Sequence, residues 1–217
     1  MKLEVKKIKD TVTDALSAVE IMDRNQVPFQ SLDKVNWEDS WPYRPQVEFR
    51  IAYTDNSLLL NYRVEEDSIR ALAPCDNDKI WEDSCCECFI QSGNDDIYYN
   101  IECNCVGRML MGSGVDRKER IRAGQDVLNT ISRWSSLEMD PIEERVGKQQ
   151  WQLSLVIPFS AFFRHNIKSM DEKIVKANFY KCGSKLPTPH YLSWNPVIWE
   201  KPDFHRPECF GELIFTI

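Results

Sequence analysis

Along most of this chain apolar and polar residues alternate with period two, the signature of strands that bury one face. Across residues 46–54, Val47, Phe49, Ile51 and Tyr53 fall on one face, and Gln46, Glu48, Arg50 and Ala52 on the other. Asp55-Asn56 supplies a turn. Residues 57–65 then return with Leu58, Leu60, Tyr62 and Val64 opposed to Leu59, Asn61 and Arg63, which predicts a hairpin. A second hairpin is predicted where residues 85–91 and 97–105 flank Ser92-Gly93-Asn94-Asp95-Asp96. Its arms set Cys86, Cys88, Ile90, Ile97, Tyr99, Ile101, Cys103 and Cys105 on one face. Cys85, Glu87, Phe89, Tyr98, Asn100, Glu102 and Asn104 take the other. Residues 150–157, 174–182 and 212–217 alternate in the same way, and 17–22, 108–111 and 127–134 read as weaker strands. Residues 35–45 and 66–77 read as loops, 112–126 as a solvated polar excursion and 138–147 as an acidic loop. Pro158 is placed to open a single helical turn.

Many strands, frequent turns and few helical periods predict an all-β fold: a two-sheet antiparallel β-sandwich, jelly-roll-like, with long loops and little helix. A parallel α/β arrangement would need helical crossovers between the strands, and the pattern offers none. No repeat, low-complexity tract or linker divides the chain, so residues 1–217 are expected to form a single domain. Val47, Phe49, Ile51, Leu153, Leu155, Phe179 and Phe215 are the expected shared core.

Composition narrows the function classes. A net charge of −7 disfavours nonspecific binding to nucleic acid or to anionic membranes. No apolar run is long enough to span a bilayer. The first fourteen residues carry lysines without an apolar stretch, so no signal peptide is read. A cytoplasmic location is therefore expected, or a secreted or periplasmic one had a leader been removed. The eight cysteines contain no C-x-x-C pair, and C-x-C on a strand puts both thiols on one face rather than around an ion. Cys86, Cys88, Cys103 and Cys105 are expected as reduced core residues.

The candidate chemistry gathers around the second hairpin. Its polar face would present Glu87, Asn100 and Glu102, with Trp81 just ahead of it. An indole beside carboxylates and amides suits a sugar, which has both C–H patches and hydroxyls. An ordinary half-exposed sheet face is the plainer reading of the same residues. Glu87 and Glu102 on adjacent strands also resemble the carboxylate pair of a glycoside hydrolase. Trp37 and Trp41 read as lids on a core or as a sugar platform. The stretch around His205, with His190, Asp203, Glu208 and Cys209, is rich in ligand types but lacks H-x-x-x-H spacing. Asp95, Asp96 and the acidic loops offer oxygen ligands for Ca²⁺ without an EF-hand pattern. Gly112 and Gly114 lack the strand–helix frame of a phosphate loop.

In order along the chain stand W-E-D-S-x-x-E-x-F-I from Trp81, Y-Y-N-I-E-x-N-x-x-G from Tyr98, W-x-L-x-x-x-I-P from Trp151, and F-G-E-L-x-F from Phe210. From about Gln46 onward this series resembles the family 9 carbohydrate-binding modules, and more closely their stand-alone relatives in sugar-degrading bacteria. The resemblance implies a β-sandwich that binds mono- or oligosaccharides, typically xylan- or cellulose-derived, without turnover. It implies no cofactor, although some members hold structural Ca²⁺. By its context Trp81 matches the first of two tryptophans that clamp the sugar, and Glu87 matches an acidic residue that bonds its hydroxyls. Trp194 matches the second tryptophan, with Trp199 as a rival. Where the family has an arginine this chain has Glu102, or the arginine is displaced to Arg108; Lys181 or Arg108 is expected to add a donor at the rim. The expected partner is an oligosaccharide, with no nucleic acid and no membrane, and the oligomeric state is left open. The alternative is a glycoside hydrolase using Glu87 and Glu102.

Overall fold

The computed structural model describes all 217 residues. In chain order the strands are β1 (Lys2–Lys7), β2 (Gln30–Ser31), β3 (Lys34–Val35), β4 (Gln46–Tyr53), β5 (Ser57–Ala71), β6 (Cys85–Gln91) and β7 (Tyr98–Asn104). They continue as β8 (Met109–Gly114), β9 (Ile121–Arg122), β10 (Ser132–Ser135), β11 (Ile142–Pro158), β12 (Ile174–Cys182), β13 (Tyr191–Ser193) and β14 (Gly211–Thr216). The helices are α1 (Ala15–Arg24) and the single turn α2 (Gln125–Leu128).

The fold is a β-sandwich, but its layers are not two separate antiparallel sheets. Hydrogen bonding runs without a break in the order β10-β11-β5-β4-β1-β14-β12-β6-β7-β8-β9, so one sheet curls over to face itself. The seam is β1, which pairs in parallel with both β4 and β14; every other ladder is antiparallel. The alternation seen in the sequence lies behind the core. Val47, Phe49, Ile51, Leu153, Leu155, Phe179 and Phe215 share one apolar cluster with Cys86, Cys88, Cys103 and Cys105. Phe49 of β4 stacks on Phe179 of β12 at 3.9 Å, which marks where the two layers meet. A smaller cluster on the opposite face of β6 and β12 includes Cys85, Phe89, Tyr98, Tyr180 and Phe204.

Five segments depart from the sequence expectations; one is 112–114, which completes the fully buried strand β8 instead of opening a solvated excursion. Residues 17–22 belong to α1, not to a strand. Asp14 caps it through the Ser17 amide (2.8 Å), and the Ser17 hydroxyl accepts from the Asp14 amide (3.0 Å), a reciprocal capping box. Ala15, Ala18, Val19 and Met22 then recur at helical spacing on the buried side. Residues 66–71 extend β5, because the Glu66 carboxylate is paired internally and can be buried. The acidic stretch 142–147 is the far end of β11: Ile142 is buried in the core, and residues 143–147 run through bulges with their side chains in solvent. Residues 127–134 split into the end of α2 and the short strand β10.

Candidate functional site

The β6–β7 hairpin is built as its pattern predicts, with Glu87 directly opposite Glu102 and Phe89 opposite Asn100. Trp81 sits ahead of it in a turn of 3₁₀-helix over Ile80–Glu82. The W-E-D run has a physical division of labour. Asp83 is buried and accepts from the amides of Leu72 and Ala73, from Asn104 Nδ2, and from Arg70 Nε. These bonds, with Ile80 packed beneath, pin the turn and leave Trp81 38% exposed.

Trp81, Glu87, Asn100 and Glu102 line one pocket of about 320 Å³. Asn100 Nδ2 donates to Glu102 Oε1 (2.8 Å), and Arg120 Nε donates to Asn100 Oδ1 (2.8 Å). Glu102 Oε2 is buried with no hydrogen-bond partner. The thiols of Cys182 (3.0 Å) and Cys85 (3.9 Å) donate to Glu87 Oε1. Burial raises the pKa of Glu87 well above the usual carboxylate value, and that of Glu102 as well. Tyr191, Phe204 and His205 also line the pocket. His205 Nδ1 meets the Tyr98 hydroxyl at 2.9 Å, and burial together with Arg120, Arg117 and Arg122 lowers its pKa to about 3.

The other sequence candidates lie elsewhere. Trp194 is 1% exposed and packs edge-on against Phe49 and Phe179, so it does not flank the pocket with Trp81. It follows β13 back into the core, where an indole fills the space between the layers. Lys181 is not at the rim. It is fully buried on the core face of β12 and pairs with Glu66 at 2.8 Å. Trp151 Nε1 satisfies the other Glu66 oxygen, and His190 Nε2 lies 2.7 Å from Lys181 Nζ. Burial and Lys181 hold His190 neutral, so Nδ1–H donates to the Thr188 carbonyl and Nε2 accepts from Lys181. Arg108 does not line the pocket; its amide donates to Asn104 Oδ1. Trp199 is 48% exposed but outside the pocket, with the Arg206 guanidinium 3.2 Å above its ring. Trp37 is buried, with its indole N–H donated to the Trp199 carbonyl, and Trp41 packs edge-on against Tyr191.

The sequence reading missed the cationic wall. Arg117, Lys118, Arg120 and Arg122 all line the pocket, although residues 112–126 read as a solvated excursion. The available signal was the pairing of β8 with β7, which carries the loop after β8 back over Asn100. It also missed that Cys85 and Cys182 join Glu87, the ligating atoms of the three lying within 4.8 Å of one another. Cys85 and Cys182 face each other across β6 and β12, so no spacing along the chain reveals them. Metal binding there would require both thiols to ionise, and burial holds the Cys85 thiol well above its usual pKa. The Asp203–Cys209 stretch forms no comparable cluster.

A larger depression of about 860 Å³ lies on the other layer, walled by strand-surface residues such as Glu48, Arg63, Gln150 and Gln152. Trp151 there is buried with its indole N–H spent on Glu66, so no free aromatic face is offered. The pocket beside Trp81 joins an exposed indole to a buried polar floor, and comparison with known proteins gives it a context. Residues 17–215 match the carbohydrate-binding family 9. The chain belongs to that family. A crystal structure from Bacteroides uniformis, described as a candidate carbohydrate-binding protein, is 50% identical with a TM-score of 0.96, covering 99% of this chain and 98% of that one. A family 9 carbohydrate-binding module from Caldicellulosiruptor kristjanssonii, solved with cellotriose, is 12% identical with a TM-score of 0.61, covering 100% and 94% of the two chains. The glucose complex of a family 9 module from the same organism gives 12% and 0.62, covering 99% and 95%. At that identity the likeness is one of fold. No curated protein matches the sequence.

Proposed function

We propose that this chain binds the end of a saccharide in the pocket beside Trp81 and does not turn it over. The observation that carries the reading is an exposed indole at the edge of a pocket floored by the buried polar groups of Glu87, Asn100 and Glu102. Apolar C–H faces of a sugar stack on an indole, and hydroxyls taken out of water need fixed partners. Glu102 Oε2 has a free position for one, and Asn100 adds an amide. Only one tryptophan lines the pocket; Tyr191 and Phe204 are further aromatic residues in its lining.

Binding is favoured over hydrolysis by the two carboxyls themselves. Glycoside hydrolysis assigns opposite protonation states to its carboxyl pair. Here burial pushes Glu87 and Glu102 in the same direction, toward the neutral acid. Both then act as hydrogen-bond partners, and neither stands out as nucleophile or base.

Calorimetric titration with glucose, cellobiose and xylobiose tests the reading, since the resemblance points to such fragments. A saturable heat with no new reducing sugar is expected. Trp81→Ala should weaken binding at least about ten-fold while leaving Tm within a few degrees, as an exposed truncation would. Unchanged affinity in Trp81→Ala would place the site elsewhere, and release of new reducing ends would favour the hydrolase.

A further inference from the structure

The pocket has a charge pattern that a neutral sugar does not use. The chain as a whole carries −7, yet four cationic side chains from six consecutive residues, Arg117, Lys118, Arg120 and Arg122, form one wall of this pocket. They are not equivalent. Arg120 is committed to the protein: it donates to Asn100 Oδ1 and to the carbonyls of Asp116, Tyr98 and Gly112, and it lies 4.3 Å over the Tyr98 ring. It is the strut that holds the loop against β7 and β8. The side chains of Lys118 and Arg122 make no hydrogen bond and no ion pair. Arg117 reaches only Asp203, at 3.8 Å.

The remaining acids do not balance the wall. Asp116 caps its own loop through the amides of Lys118 and Glu119. Glu87 and Glu102, on the floor, are pushed by burial toward their neutral forms. Asp203 is the one other carboxylate that lines the pocket, and Arg206 shares it at 3.0 Å. His205 registers the surplus, because the same arginines help to hold it neutral. Beside this wall the buried Glu102 Oε2 still lacks a partner.

Resting on the reading that the pocket binds sugar, we propose that its ligand is an acidic saccharide, one bearing a carboxylate or a sulfate ester. The uncharged face stacks on Trp81, hydroxyls meet Glu87, Asn100 and Glu102, and the anionic group lies among Arg117, Lys118 and Arg122. A guanidinium and an ammonium without other partners are suited to either anion, arginine by paired donors and lysine as a point charge. The three heads are exposed, so each contact is screened and the preference is salt-dependent.

The test is calorimetry of the full chain with glucose, glucuronate and a glucose sulfate ester, at ionic strengths of about 0.01 M and about 0.15 M. At least one acidic sugar should bind about ten-fold more tightly than glucose at the lower ionic strength, and the ratio should shrink at the higher one. Which acidic sugar gains most identifies carboxylate or sulfate as the recognised group. In the double variant Lys118→Gln/Arg122→Gln the ratio of acidic to neutral affinity should fall toward one. Glucose binding as tightly as both acidic sugars would overturn this inference and leave saccharide binding standing. A preference that persists in the double variant would overturn the assignment to this wall. If no sugar binds, acidic or neutral, both readings fall.

Discussion

Glu87 and Glu102 are where burial and polarity conflict most sharply in this molecule. Each carboxyl is taken out of water on adjacent strands, directly opposite the other. Ionising both would place two charges side by side in a poorly solvated floor, and burial raises both pKa values instead. The consequence for stability has a definite sign. Glu87 has a folded-state pKa above its ordinary value of 4.5, so the contribution of its neutral form is complete below about 4.5 and is lost as pH rises through the folded value. Glu87→Gln keeps an acceptor for the Cys182 thiol and has no proton to lose. Its Tm relative to the parent chain should therefore climb as pH rises above about 4.5, and differential scanning calorimetry across that range would show it. A difference that stays flat or falls would mean that the arginine wall keeps Glu87 ionised. At this scale much of the floor was legible. Period two alone put Glu87, Asn100 and Glu102 on one face with Cys85 and Phe89. The same rule places Lys181 beside Phe179 on the core face of β12, against the rim role expected for it.

Among the elements, strands with one clean face were readable and those whose neighbours decide their environment were not. β4, β6, β12 and the central part of β11 follow their alternation. The end of β5 did not read as strand, because Glu66 looks like a surface residue until Lys181 and Trp151, both distant in sequence, are brought beside it. α1 was hidden by a short window: Val19, Ile21 and their neighbours alternate over four residues, while the capping box and the recurrence from Ala15 to Met22 define the helix. Trp194 was misplaced because local sequence fixes a tryptophan's chain position and not the side of the sheet it enters. That placement explains the glycine in F-G-E-L-x-F. A Cβ on Gly211 would lie 2.6 Å from Trp194 Cζ3 and 2.8 Å from the Met1 carbonyl, with backbone on one side and a packed indole on the other. Gly211→Ala should cost about 1–3 kcal/mol, a fall in Tm of about 5 °C. A variant as stable as the parent would show that the seam between β1, β14 and Trp194 yields easily.

At the scale of the whole molecule the curled sheet depends on its first strand. β1 is the element that hydrogen-bonds to both β4 and β14, so it joins the two layers into one ladder. The family match begins at residue 17, beyond β1, and the alternation from Gln46 onward gave no hint that the amino-terminal residues close the sheet. Yet Val5 lies in the main core and Ile8 in the cluster under α1, both almost fully buried. Lys7 reinforces the seam through Asp55 at 2.8 Å and Asp171 at 2.9 Å. Removing residues 1–9 would expose the apolar area under Val5 and Ile8, about 1.5–3 kcal/mol for each side chain. It would also leave the paired edges of β4 and β14 open, and a bare edge recruits another chain. The truncated protein should melt about 10 °C lower and self-associate on size-exclusion chromatography. The pocket beside Trp81 is assembled from β6, β7, the loop after β8 and the chain around Phe204, none of which touches β1 in the sheet order. Saccharide binding by the folded fraction should therefore survive the truncation. Loss of stability with binding retained would establish the seam as a structural closure independent of the site. A truncated chain with an unchanged midpoint and no self-association would show that β4 and β14 hold their places without it.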